Sequence, residues 1–410
     1  VVNTPEHEAA EDARRYPYWR RNMRVLPVAN MLCALGFAVS FPFLPLMVRG
    51  LGVTENLGPW VGTMMFVFFT VSFAANPVWG SIADHFSRKL MVLRAMLGMG
   101  VMMSLVPLAP TPFAFAALFC AIGLFNGFTP AGMSLLVANT PPRRVGSALS
   151  YAQTGNLVGQ TLGPALGTLL AGFMVHHHSM FTVSGGLLFS GGLLVLFFVH
   201  EVRQPAPGPW RLDWIGHLRD VLKVPRMGAL FVVSFLFTMM WSGNVTIVSL
   251  YMLDLLKSNP DATGGEAWWI GAAAMGLAFS SVIAMPLWAR VIDRIGPARV
   301  MTFAGIAAIV THLPLLVIGT PVALVLARVA FGVSAVAMHP SVVQLIRVYA
   351  PKGMDARAIS YVTAFQFLAM GIAPFIAGVV APLLGLRVYF ALTILALAAG
   401  LWWWRRAAGR

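Results

Sequence analysis

The sequence predicts an all-α membrane protein: twelve transmembrane helices in two pseudo-symmetric six-helix bundles. Three observations lead there. The chain carries too little charge to dissolve whole in water, it holds twelve apolar runs of spanning length, and its two halves repeat each other. Of 410 residues, 58% are hydrophobic and 10% charged, against about 25% charged in soluble domains. A bilayer core needs about 20 apolar residues per helix. Such runs lie at 25–48, 60–83, 90–109, 112–138, 146–174, 180–199, 228–253, 267–290, 298–318, 321–347, 357–383 and 387–404. A β-barrel would alternate apolar and polar residues over strands of about ten. These runs are longer and apolar on all sides, which favours helices, here called spans one to twelve.

The net charge of +14 would suggest nucleic acid in a soluble chain, but its distribution argues against that partner. Twenty-four of the 28 Lys and Arg fall in segments on one side of the predicted membrane. Arg49, Lys257 and Arg387 fall on the other, and Arg328 lies within span ten. This is the positive-inside asymmetry. It predicts a multi-pass protein of a bacterial inner membrane with both termini cytoplasmic and the lipid bilayer as its surroundings. Residues 1–24 hold five arginines and lack an apolar core ending in a small-residue cleavage site, so no signal peptide is expected there. Cys33 and Cys120 fall inside spans and nothing has zinc spacing, so neither a disulfide framework, a metal site nor a cofactor is expected. His176, His177 and His178 read as a solvated run in an external loop.

The longest polar interruption after the N-terminus is 200–226, with Pro205, Pro207, Pro209 and an amphipathic piece from Leu212 to Lys223. The expected organisation is a cytoplasmic tail 1–24, a first bundle 25–199, a linker 200–226, a second bundle 227–404 and a tail 405–410. Across the linker, Asn76-Pro77-Val78-Trp79 returns as Met285-Pro286-Leu287-Trp288, Asp84 as Asp293, and Trp60-Val61-Gly62 as Trp269-Ile270-Gly271, all at a shift of 209. Ser150-Tyr151 returns as Ser360-Tyr361 and Pro164 as Pro374 at 210. A near-constant shift in three regions indicates a duplicated six-helix unit. Duplicated halves around a midplane site are the basis of alternating access, in which one half rocks against the other.

Gly80-Ser81-Ile82-Ala83-Asp84-His85-Phe86-Ser87-Arg88-Lys89, between spans two and three, resembles the cytoplasmic loop motif G-x-L-A-D-R-x-G-R-K of the major facilitator superfamily, with His85 and Ser87 departing from it. The resemblance implies a conformational latch built from Gly80, Asp84, Arg88 and Lys89, with a weaker copy at Asp293 and Arg294. In span five, Gly155, Gly159, Gly163, Pro164 and Gly167 resemble the exporter motif G-x-x-x-G-P-x-x-G-G, with Thr168 replacing the last Gly. Glycines four residues apart make a groove for close helix approach, and the proline permits a bend. Leu35-Gly36 and Pro42-Phe43-Leu44-Pro45 resemble another exporter signature. The chain thus resembles the twelve-helix drug/proton antiporter branch of that superfamily, which implies export.

Proton coupling usually uses a buried carboxylate. Of the fourteen acids none sits near a span's midpoint, and Asp254 lies at the outer rim of span seven. At about 100° per residue, Arg328, Gly332, Ala335 and His339 fall on one narrow stripe of span ten. A charge in a span normally faces the bundle interior, so the stripe is expected on the cavity. Snorkelling is the alternative for Arg328, and a neutral ring bonded to a carbonyl the alternative for His339. His339 and then Asp254 are the proton-coupling candidates. A weakly polar cavity for a small amphipathic organic compound is expected from Asn126, Gln153, Asn156, Gln160, Trp241, Asn244, Arg328, His339, Tyr361 and Gln366, with Phe37, Phe41 and Met240 as adaptable walls. Each polar residue alone is as well explained as helix–helix glue.

The expectation is therefore an exporter of amphipathic organic compounds, by proton antiport, acting as a monomer. A lysophospholipid or metabolite facilitator without coupling is the alternative. A membrane-embedded enzyme or scaffold is disfavoured: no H-E-x-x-H and no mid-span acid for a histidine to work with are present.

Overall fold

The computed structural model describes residues 14–173, 179–202, 219, 221–224, 226–350 and 355–408, less a few side chains, among them those of Asp84 and Asn244. The histidine run at 176–178 and most of the linker lie outside the described residues. Span one runs Trp19–Ser40, a 3₁₀ turn Phe41–Phe43, then Leu44–Gly50. Spans two and three are Leu57–His85 and Arg88–Leu105. Span four is Pro112–Phe125 plus Phe128–Ala138, span five Val145–Phe173 and span six Met180–Phe198. The second half follows as Met227–Ser258, Glu266–Ile295, Pro297–His312, Pro321–Ala335 plus Met338–Tyr349, Asp355–Leu384 and Leu386–Ala408. Two six-helix bundles result, as the duplication predicts.

Among the described residues eleven helices are long and apolar enough to cross a bilayer. Val145–Phe173 is long enough but too polar to be counted with them. It remains the twelfth span by its position between spans four and six. Successive spans alternate in direction, so both described ends of the chain share one face, the basic face. The other is the far face.

Local chemistry sets several boundaries. Thr111 and Thr320, repeat positions 209 apart, each accept the N–H three residues on (3.2 and 3.4 Å) and precede a proline at the first helical position. That is a hydroxyl cap followed by a residue with no N–H to satisfy. Span one starts at Trp19, ahead of the apolar run at 25–48, because Asn22 is anchored: its Nδ2 donates to His200 O (2.7 Å) and its Oδ1 accepts from His200 N (3.1 Å). Spans four and ten, expected as single runs, are each interrupted. Their breaks, Phe125 to Phe128 and Ala335 to Met338, lie 210 residues apart.

The glycine groove of span five holds span one. A β-carbon at Gly155, Gly159 or Gly167 would run into the carbonyls of Pro27, Met31 and Val39, and one at Gly163 into Ala38. A single buried apolar cluster fills the first half around Phe43, Phe68, Phe115 and Phe119 and continues into the far ends of spans seven, ten and twelve, at Met252, Leu324 and Phe390. A second cluster, around Met240, Phe331, Met338 and Trp404, belongs to the second half alone. Among the described residues the two halves are therefore fused towards the far face, while their buried clusters part towards the basic face.

Candidate functional site

The fusion at the far face is built from repeat-related pairs. Span two meets span eleven where Gly62 lies against the Pro374 carbonyl and Gly58 against Gly378. Span eight meets span five where Gly271 lies against Thr168. Gly62 and Gly271 correspond at a shift of 209, and Thr168 and Gly378 at 210. Phe66 and Phe375 (5.0 Å between ring centres) and Phe69 and Phe367 (6.3 Å) extend the seam inward. Ser249 donates to Pro42 O at 2.8 Å, from span seven to span one. Across the mouth Arg49 grips Glu266 in a two-pronged pair, Nη1 to Oε1 at 3.1 Å and Nη2 to Oε2. Both side chains are more than a third exposed, 37% and 41%, so the pair adds at most about 1 kcal/mol. Its value is geometric. Glu266 also stands in the first turn of span eight, where the helix dipole favours a carboxylate.

Behind this seal, polar side chains in mid-span are exposed. Gln153 and Gln160 of span five and His339 of span ten are open. A polar group is not left facing lipid, so these mark a water-accessible path entered from the basic face. His339 Nδ1 lies 3.1 Å from Gln366 Nε2, which donates to Ser234 Oγ at 2.9 Å. Spans ten, eleven and seven thus meet in one chain of hydrogen bonds. On the opposite wall Gln160 Nε2 donates to Asn156 Oδ1, and Asn156 Nδ2 to Thr129 Oγ1 at 3.1 Å. Ser234 and Thr129 were not anticipated, since a lone hydroxyl in an apolar helix carries no signal of its own.

Other candidates stand elsewhere. Arg328 is 2% exposed and does not snorkel. It lies in the second bundle beside His312, whose ring packs on Phe331 (4.3 Å) and Phe390 (6.4 Å). The stripe linking it to His339 is interrupted, because span ten breaks between them. Asp254 is exposed one turn from the far end of span seven, on the sealed side, away from His339. Met240 (0%) and Tyr361 (7%) are core residues, and Trp241 packs on Phe237 (6.1 Å) and Phe331 (5.5 Å). Phe37 and Phe41 are half-buried against Phe68 and Phe128. Asn126 ends the first part of span four, with Nδ2 on Ser72 Oγ (3.1 Å) and Oδ1 on Gly127 N (2.8 Å). The side chain of Asn244 is outside the described residues.

The described hydrogen bonds of the expected latch loop gather at the start of span three. Glu201, just past span six, receives them: Oε1 accepts Arg88 N (2.9 Å), and Oε2 accepts Lys89 N (3.1 Å) and Ser87 Oγ (2.5 Å). Lys89 Nζ donates to Leu196 O at 2.9 Å. Glu201 thereby satisfies the orphan N–H groups at the start of span three, with the favourable dipole term. Gly80, Asp293 and Arg294 are exposed, and the side chain of Asp84 is outside the described residues. Glu201→Ala is expected to cost about 2 kcal/mol, read as a lower thermal midpoint in detergent, while Glu201→Gln loses about half as much.

The geometry agrees with known proteins. The profile described as Major Facilitator Superfamily matches residues 28–276 and 253–409. The chain is 30% identical over 384 residues to the multidrug resistance protein MdtG of Salmonella arizonae, covering 92% of each. It is 31% identical over 394 residues to that of Serratia proteamaculans, covering 94% of each. Among solved structures, a bacterial homolog of the human lysosomal transporter Spinster, inward-facing and unoccupied, aligns with a TM-score of 0.75 at 14% identity over 95% of this chain and 97% of that one. The nucleoside transporter NupG aligns at 0.73 and 13%, over 94% and 99%. Those two establish likeness of fold, and the profile and the relatives establish kinship: this chain belongs to the Major Facilitator Superfamily.

Proposed function

We propose that the chain is an alternating-access exporter of amphipathic organic compounds in a bacterial inner membrane, with both termini cytoplasmic. The observation that carries this is the far-face seal of repeat-related contacts, Gly62 on Pro374 and Gly271 on Thr168, set against exposed Gln153, Gln160 and His339 on the other side. A path sealed at one end and wet at the other is one half of an alternating-access cycle. Similarity to proteins named for multidrug resistance supports the substrate class and the direction. The basic face is read as cytoplasmic from its arginines.

His339 is the residue through which we propose proton coupling. Its ring is hydrogen-bonded to Gln366 and open to the path, and an imidazole can take up and release a proton. In proteoliposomes loaded with an amphipathic fluorescent dye, an imposed pH gradient should drive dye movement. His339→Ala should reduce that gradient-driven rate by about tenfold while leaving dye binding nearly intact. Dye movement that ignores the pH gradient in the unaltered protein would instead favour an uncoupled facilitator, a reading supported by the lack of any mid-span acid in the sequence.

A further inference from the structure

The breaks in spans four and ten are served by the same donors. Where span four ends its first part, Trp79 Nε1 donates to Leu124 O (2.9 Å), and the Ser72 hydroxyl is shared between Phe68 O (2.8 Å) and Gly123 O (3.1 Å). Where span ten does, Trp288 Nε1 donates to Val333 O (2.7 Å), and the Ser281 hydroxyl is shared between Leu277 O (2.7 Å) and Gly332 O (3.2 Å). Every partner is displaced by 209 residues. Gly123 and Gly332 bring the spans together in the same way, since a β-carbon on either would come within 2.6 Å of a carbonyl, that of Phe68 or of Leu277. These donors supply the hydrogen bonds that carbonyls at a broken helix end lack.

The copies differ in whether the break can close. In span four, Asn126 has ψ 157° and Gly127 φ 120°, a conformation that L side chains avoid and no helix contains. Arg94 reinforces it: its guanidinium stacks 4.0 Å over the Trp79 ring and donates to Leu124 O (3.2 Å) and Asn126 O (3.4 Å). In span ten, Val336 (φ −60°, ψ −24°) and Ala337 (φ −74°, ψ −18°) keep helical angles, and position 303, the repeat of Arg94, is Phe. Only small backbone rotations are needed to make span ten continuous. Trp288 Nε1 then yields Val333 O to the Ala337 N–H, and Ser281 Oγ leaves Gly332 O to the Val336 N–H.

We infer that span ten is the moving hinge of the cycle, span four its fixed counterpart, and Trp288 the positioning residue that holds the break in span ten open. His339 is the second residue of the helix beyond the hinge, so closing the break carries it relative to Gln366 and Ser234. The inference rests on the transporter reading for its purpose but not for its test. Spin labels at Leu326→Cys and Arg347→Cys straddle the hinge, and a straight helix would place their backbones about 32 Å apart. Labels at Phe113→Cys and Val137→Cys straddle the break in span four. Trp288→Phe keeps a ring and removes the donor. It should raise the long-distance population in span ten several-fold, and in substrate transport lower the maximal rate with KM little changed. Trp79→Phe should leave the span-four distances as they were, because Arg94 still serves Leu124 O. If Trp288→Phe does not yield monodisperse protein, Ser281→Ala removes the other donor and should shift span ten in the same direction. Unmoved span-ten distances, or span four responding to Trp79→Phe as strongly, would overturn the inference even if transport itself were established.

Discussion

Gly62→Val should abolish transport while leaving a folded protein in the membrane. A β-carbon at Gly62 would meet the Pro374 carbonyl oxygen, with Pro374 C and Phe375 Cα each 3.1 Å away. All three are backbone atoms of span eleven, and backbone cannot rotate aside as a side chain can. Overpacking of this kind costs about 3 kcal/mol, which shifts a two-state equilibrium more than a hundredfold. The cost falls only on the far-closed state, because the contact exists only when the seal is made. Spin labels at Asn56→Cys and Leu384→Cys, exposed at the far ends of spans two and eleven, should then report a longer distance than in the unaltered protein. Gly271→Val is the internal comparison. It meets the Thr168 side chain, which can turn away, so its effect should be several-fold smaller and Thr168→Gly should relieve it. Equal effects at the two glycines would mean that the seal is not set by backbone contact.

Gly159→Leu should act earlier, on folding. Gly159 faces the Met31 carbonyl, Leu35 N at 2.8 Å and Ala34 Cβ at 2.9 Å, with Gly155 and Gly163 pressed against span one on either side. A leucine would part spans one and five along their whole contact, forfeiting dispersion that no hydrophobic effect replaces within lipid. A loss of about 3 kcal/mol or more is expected, seen as little monodisperse protein after extraction. Gly186→Ala, with nothing within 4 Å of the added carbon, should be indistinguishable from the unaltered protein.

Twelve spans and two halves were legible because apolar length and a constant repeat shift need no tertiary knowledge. The glycine groove was legible for a similar reason: small residues four apart have few other uses. The breaks were not. Val333-Ser334-Ala335-Val336 continues its apolar run without a stop signal, and span ten is interrupted where donors arrive from span eight; in span four the turn signal Asn126-Gly127 stands inside an apolar run long enough to read as one helix. The stripe from Arg328 to His339 assumed an unbroken span ten and is interrupted there. The burial of Met240 and Tyr361 was not legible because an apolar helix presents similar residues to the bundle interior and to the path, and hydropathy does not tell them apart. Glu201 was hidden by its position, since an acid at the start of a linker looks solvated until span three is seen to begin beside it.

Span five differs from every other span in being too polar to count as membrane-spanning by composition. Its amides, hydroxyls and glycines are tolerable only against spans one, four and eight and the path. When the ribosome first presents Val145–Phe173 to the membrane, span one is already made. Span five alone gains little from entering lipid, and it becomes a stable crossing only by docking on that earlier helix. The contact that lets the finished protein work is therefore also one its biogenesis must secure first, and a chain that fails to make it would be left with one crossing too few and every later span inverted.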